Sequence, residues 1–200
     1  MENHLIIFIK NPELGKAKTR IAKTTGDEKA LSIYKELLAH TMQTTLNVDC
    51  KRHLFYSSFV DTQDAWPNEH FIKALQIPGE LGDKMRHAFQ EVLKVSAPCL
   101  IIGSDCGELS ADILNQAFAA LQDNDVVVGP TFDGGYYLLG LRDSSLDLFS
   151  DIAWSTEQVY AQTIEKVKQA GATYFDLPRL HDIDYEEDYL AWKAGSDAAG

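Results

Sequence analysis

The chain of 200 residues is long enough for one domain with a sizeable core, and 45% hydrophobic with 24% charged residues is an ordinary globular balance. A formal net charge of −12 argues against a nucleic-acid backbone or an anionic membrane as the main partner, because both recruit basic surfaces. The start, Met1-Glu2-Asn3-His4, has no basic leader and no membrane-length apolar segment, so a cytoplasmic protein without a membrane span is expected.

Leu5 to Ile9 is a continuously apolar strand, of the kind buried on both faces of a parallel sheet. Lys10 to Lys23 reads as a basic loop. Asp27 to about Thr45 follows helical spacing, with Asp27 as its cap. His53 to Ser57 and Phe71 to Ile77 read as strands, with a turn-rich loop between them. Asp83 to Val95 is amphipathic at helical period, and Cys99 to Ile102 is a short buried strand. Ser110 caps a helix reaching about Leu121. Asp125 to Gly129 and Tyr136 to Leu141 are strands joined closely enough to predict one antiparallel pairing. Leu146 to Phe149 reads as a helical turn. Ser155 to Ala170 is a helix with a capping-box start and Gly171 as its stop. Thr173 to Leu177 is the last strand and Tyr185 to Trp192 the last helix. The pattern predicts a single α/β domain over residues 1–194, a mostly parallel mixed sheet between two helical layers, and a tail over 195–200.

Four stretches carry chemistry. Asp105 lies just past the strand Cys99 to Ile102, where open α/β sheets bind ligands, and a carboxylate there suits a divalent cation with a phosphorylated substrate. It equally suits a turn aspartate. Five of the 18 Lys and Arg residues fall between Lys10 and Lys23. With Gly15 for close backbone approach, Lys10, Lys16, Lys18 and Arg20 fit a phosphate site, although the spacing is not that of a Walker A loop. In Asp133-Gly134-Gly135-Tyr136-Tyr137 the glycines make either a hairpin turn or a close ligand approach. Asp133 would bind a sugar hydroxyl or reach the metal, and alternation lets at most one of the two tyrosines face the site. In His181-Asp182-Ile183-Asp184, Asp184 reads as a helix cap, while Asp182 or Asp184 could give the metal a second carboxylate. Gly79 to Met85 could line a ligand loop, and Trp154 could stack on a base or sugar or sit in the core. Three cysteines, Cys50, Cys99 and Cys106, lack metal-type spacing and read as free thiols.

Taken in order, Phe8 to Pro12, Gly15 to Arg20, Gly79 to Met85, Gly103 to Cys106, Gly129-Pro130 with Asp133 to Tyr136, Trp154-Ser155-Thr156 and Asp182-Ile183-Asp184 resemble a bacterial family of predicted glycosyltransferases. That family lies in the nucleotide-diphospho-sugar transferase superfamily and has members associated with arsenosugar biosynthesis. The resemblance implies the A-type glycosyltransferase (GT-A) fold, a three-layer α/β/α sandwich, and a transferase acting on a nucleotide sugar and a small-molecule acceptor. It implies Mg²⁺ or Mn²⁺ on Asp105, with Asp184 as a second ligand. The nucleotide would be held by Lys10, Gly15, Lys16, Lys18, Arg20, Gly82 and Lys84. Asp133 would be catalytic, with Gly134, Gly135, Tyr136, Trp154 and Ser155 against the substrate. A nucleotidylyltransferase acting on a nucleoside triphosphate, or a nucleotide-binding module without turnover, are the alternatives. The chain departs from the family where Gly107 replaces a proline, where Lys84 replaces an arginine, and where Asp105-Cys106-Gly107 lacks the second aspartate of an Asp-x-Asp pair.

Overall fold

The computed structural model describes residues 2–93 and 97–199. Seven strands form one sheet: β1 (His4–Ile9), β2 (Lys51–Tyr56), β3 (Phe71–Leu75), β4 (Cys99–Ile102), β5 (Val126–Pro130), β6 (Tyr136–Leu141) and β7 (Tyr174–Asp176), in the order β3-β2-β1-β4-β6-β5-β7. β6 alone runs against the rest, antiparallel to both β4 and β5, while the other neighbours pair in parallel. The expected antiparallel return is therefore present, wedged into the sheet centre.

Six helices complete the fold: α1 (Thr19–Thr25), α2 (Asp27–Leu46), α3 (Leu81–Val92), α4 (Ala111–Ala120), α5 (Val159–Gln169) and α6 (Glu186–Ala199). Side-chain alternation along β1 sends Leu5, Ile7 and Ile9 to the face covered by α2 and α4, where they meet Tyr34, Leu38, Leu114 and Phe118. Ile6 faces the other side, with Met85 and Phe89 of α3 and Val167 of α5. A third cluster joins Ile21 of α1, Ile33 and Leu37 of α2, Ile183 just before α6, and Tyr189 of α6.

Several elements differ from the sequence reading. The basic loop contains α1, preceded by Lys18 in the left-handed conformation at φ 50°. Gly26, not Asp27, occupies the cap position of α2. Residues 146–149 form bends and no helix. α3 begins at Leu81, and its expected end at Val95 lies outside the described residues. The capping box at Ser155 does not form: Ser155 has φ 63°, Gln158 precedes the first helical residue, and residues 155–158 make a turn instead. α6 continues through 195–199, which the sequence reads as tail, and Gly200 lies outside the described residues. Ser110 does cap α4, its hydroxyl accepting the Ile113 N–H. No described helix is long and apolar enough to cross a membrane.

Candidate functional site

β1 and β4 lie side by side in parallel, with Ile7 opposite Ile102, so the chain leaving each strand emerges at the same sheet edge. Lys10 follows β1, and Ser104 and Asp105 follow β4. Tyr34 of α2 binds these two exits together. Its hydroxyl donates to the Lys10 carbonyl at 3.0 Å, accepts the Lys10 N–H at 2.9 Å and lies 3.2 Å from Ser104 Oγ. Burial, then the Asp105 charge, pushes the Tyr34 phenol well above its usual range.

Lys18 joins a third segment to this edge. Its side chain is 5% exposed, and Nζ meets Asp105 Oδ1 at 2.7 Å and donates to the Ile183 carbonyl at 2.6 Å. The Ile183 N–H in turn donates to the Asp105 carbonyl at 2.9 Å. One buried ammonium thus holds the loop after β4 against the segment entering α6, and these bonds keep Lys18 in its disfavoured backbone conformation. Arg20 pairs with Asp184, and Lys16 with Glu13 at 2.8 Å. The Lys10 ammonium has no ion pair among the described residues.

Two cavities meet here. An inner one of about 380 Å³ runs from Phe8 and Gln76 past Lys84 and Tyr136 to Asp105 and Asp182. An outer one of about 330 Å³ is lined by Lys10, Lys16, Lys18, Arg20 and Asp184. Lys10, Tyr34 and Asp105 border both. The acids of the site act on one another most at Asp182. Burial, then the charges of Asp105 and Asp133, pushes Asp182 up to about 7, opposed by Lys18.

The structure brings together Lys10, Lys16, Lys18, Arg20, Lys84, Tyr136, Asp105 and Asp184 from the sequence-derived set. Asp133 borders neither cavity but acts electrostatically on Asp182. Its Oδ1 accepts from Thr131 Oγ1 and from the Gly135 N–H, so it also stabilises its own turn. The glycines contribute differently from the expectation. A Cβ on Gly134 would lie 2.1 Å from the Glu157 carbonyl oxygen, and one on Gly82 would lie 2.4 Å from Trp154 Nε1. The close approaches these glycines permit are to the protein's own backbone and indole. Trp154 packs on α3, and Gly15, Gly135 and Ser155 line neither cavity. Both Tyr136 and Tyr137 border the inner cavity, because it lies across the start of β6 rather than on one face of the sheet. Sequence reasoning missed Gln76 and assigned Tyr34 to the core by its helical spacing. It weighed Asp182 beside Asp184 without choosing it. Gly107, where the resembling family carries proline, lies beneath Trp192 and Ile183, at 2.7 and 2.8 Å from an added Cβ, so a proline ring there would begin with the same collision.

The donor chemistry suits a hard divalent ion. Asp105 and Asp182 offer carboxylate oxygens on the wall of the inner cavity, and Mg²⁺ is commonly held by one or two carboxylates with phosphate and water. Among the described residues no three His, Cys, Asp or Glu side chains form a ready cage. The three thiols are free, and burial pushes Cys106 up to about 12, which leaves it an inert thiol at neutral pH.

A family model described as "Uncharacterized protein conserved in bacteria (DUF2064)" matches residues 39–156. No curated protein matches the chain. Among solved structures, a provisionally assigned nucleotide-diphospho-sugar transferase from Desulfovibrio desulfuricans G20 is 29% identical, covers 99% of this chain and 96% of its own, and superposes with a TM-score of 0.86. CMP:2-keto-3-deoxy-manno-octonic acid synthetase, solved with CTP, is 11% identical over the whole of both chains with a TM-score of 0.62. The inositol-1-phosphate CTP transferase of T. maritima is 12% identical, covering 96% of this chain and 95% of its own, with a TM-score of 0.60. At such identities the last two show a shared fold alone. The seven-stranded mixed sheet is thus the fold of nucleotide-diphospho-sugar transferases and nucleotidyltransferases, and the chain belongs to the bacterial DUF2064 family.

Proposed function

We propose that the protein transfers a sugar from a nucleotide-diphosphate sugar to a small acceptor. The observation that carries this reading is the junction of the two cavities at Lys10, Tyr34 and Asp105. The inner cavity has the aromatic and apolar walls a nucleoside needs, and the outer one has the cations a diphosphate needs. Lys10 and Lys16 would neutralise diphosphate oxygens as negative charge grows on the leaving group. Lys18 would hold Asp105 in place, and Arg20 would exchange Asp184 for phosphate. Asp133, which lies outside both cavities and acts on Asp182 through its charge, would face the sugar or the acceptor beyond them. Mg²⁺ or Mn²⁺, held by Asp105 with Asp182 or Asp184, would supply further neutralisation of the leaving diphosphate. The acceptor would be a small molecule and the setting cytoplasmic, as the sequence reading expects.

A second reading, nucleotidyl transfer from a nucleoside triphosphate, draws support from the number of cations. Lys10, Lys16, Lys18 and Arg20 around one cavity suit three phosphates as well as two. Product analysis separates the readings. The protein is incubated with Mg²⁺ and panels of nucleotide sugars and nucleoside triphosphates. Nucleoside diphosphate released from a nucleotide sugar, and abolished by Asp105→Ala, is the expected result. Pyrophosphate release would replace it with the second reading. Absence of binding to every nucleotide at millimolar concentration would overturn both.

A further inference from the structure

A fold requires glycine where φ is left-handed or where a neighbour stands too close for a side chain, and a ligand requires it where it approaches the backbone. Gly103 follows β4 on the wall of the inner cavity, and neither requirement of the fold applies to it. Its φ lies outside the left-handed region that Gly15 and Gly134 occupy. A Cβ added there would meet no atom of the described residues within 4 Å beyond its chain neighbours. Gly82 and Gly107, by contrast, stand against indoles at 2.4 and 2.7 Å. Gly195 shares the open surroundings of Gly103, but it lies in α6 and borders neither cavity of the site.

The backbone on either side of Gly103 is fixed. Ile102 pairs with Ile7 of β1 and with Leu138 of β6. The Ser104 hydroxyl lies 3.2 Å from the Tyr34 hydroxyl, which also holds Lys10. A glycine between two such anchors supplies no hinge. Ile102 and Ser104 are buried, whereas Gly103 is exposed, so its bare Cα faces the open space of the cavity.

We infer that Gly103 is a specificity-determining residue: its Cα is the floor on which a sugar ring of the nucleotide sugar lies, and the missing side chain leaves the room that the ring occupies. The inference rests on the nucleotide-sugar reading proposed above. Gly103 borders the inner cavity alone, while Asp105, two residues on, borders both. The group over Gly103 is therefore one that adjoins the diphosphate. In a nucleotide sugar the two such groups are the ribose and the transferred sugar, both polyhydroxylated rings. A ring resting on Cα makes contacts at ~3.5–4.0 Å, and a methyl group placed in that gap displaces it. The same methyl collides with nothing in the fold, and at a φ that alanine accepts it lowers the entropy of the unfolded chain. Stability and affinity should thus move in opposite directions, which a purely structural glycine does not produce.

Titration calorimetry of the full chain with Mg²⁺ tests this, using UDP-glucose, ADP-glucose, CDP-glucose and GDP-mannose beside the matching nucleoside diphosphates. For the nucleotide sugar that binds the parent most tightly, Gly103→Ala is expected to weaken binding by at least about fivefold and Gly103→Val by more. The melting temperature of Gly103→Ala without ligand is expected to equal that of the parent or exceed it. An equal loss with the matching diphosphate assigns the ring to the ribose, and a loss confined to the nucleotide sugar assigns it to the transferred sugar. A loss smaller than about fivefold in both variants overturns the inference. A lower melting temperature of Gly103→Ala, or its failure to fold, also overturns it, because either places the need for glycine in the fold. Absence of binding of every ligand to the parent overturns the nucleotide reading itself.

Discussion

Replacing Gly107 by alanine adds a single methyl group at the point where the loop after β4 meets α6. That methyl would lie 2.7 Å from two carbons of the Trp192 indole and 2.8 Å from Cδ1 of Ile183, well inside the ~3.5–4.0 Å of favourable carbon contacts. Gly107 is not among the glycines with a left-handed φ, so the backbone accepts alanine and the cost is one of packing. Neither neighbour yields easily. Trp192 stands edge-on to His40 with ring centroids 5.4 Å apart, and Ile183 is 2% exposed with its N–H bonded to Asp105. Overpacking of this kind costs about 1–3 kcal/mol. In a protein of this size that is a fall in melting temperature of about 2–12 °C. Denaturant unfolding of Gly107→Ala, Trp192→Ala and the double variant measures it. The double variant should regain at least ~0.5 kcal/mol over the sum of the single changes, since the indole that obstructs the methyl is gone. Stability of Gly107→Ala within ~0.5 kcal/mol of the parent, or strictly additive effects, would refute the argument.

Lys18→Met keeps the side-chain length but removes the ammonium from Asp105 and the Ile183 carbonyl. It should lower unfolding free energy by about 1–3 kcal/mol, with little change in denaturant m-value, and an unchanged midpoint would show that the buried ion pair is idle. Stability should also depend on pH through His53, which stacks on His4 with their ring nitrogens 3.1 Å apart. Burial first, then the charges of His4 and Lys51, pushes His53 down to about 4. The unfolded chain, titrating near 6.5, therefore binds more protons than the folded one between about pH 4 and 6.5. This contribution is complete above 6.5 and is lost as pH falls towards 4. His53→Asn should flatten the stability–pH curve in that window, and a curve of unchanged slope would assign the effect elsewhere.

The strands bearing the site were legible because their signals are local. β4 falls between Pro98 and Gly103 and β6 starts after Gly134-Gly135, and β4 delivers Asp105 to the sheet edge as expected. α1 escaped because its seven residues bury only Ile21 and begin from a left-handed Lys18, leaving no hydrophobic period to detect. The ion pairs of the site were illegible for another reason. Lys18 and Ile183 are 165 residues apart, and no window of sequence contains both. Gly134 and Trp154 show the converse error. A glycine marks a close approach, but sequence does not say whether a ligand or Glu157 is the thing approached. Tyr34 has the spacing of a core residue and the burial of one, so nothing in the pattern announces that its hydroxyl holds Lys10.

The bond from Lys18 to Ile183 also bears on the order of events during synthesis. The first four strands and their helices are translated well before residue 183, and chains begin to fold from the N-terminal side at the ribosome. Until the segment entering α6 emerges, Lys18 lacks its carbonyl partner and Asp105 lacks the N–H that anchors its backbone. A nascent or prematurely ended chain can therefore assemble most of the sheet while the candidate site at its edge remains unmade. Completion of the polypeptide, more than formation of the sheet, is the event that sets the site.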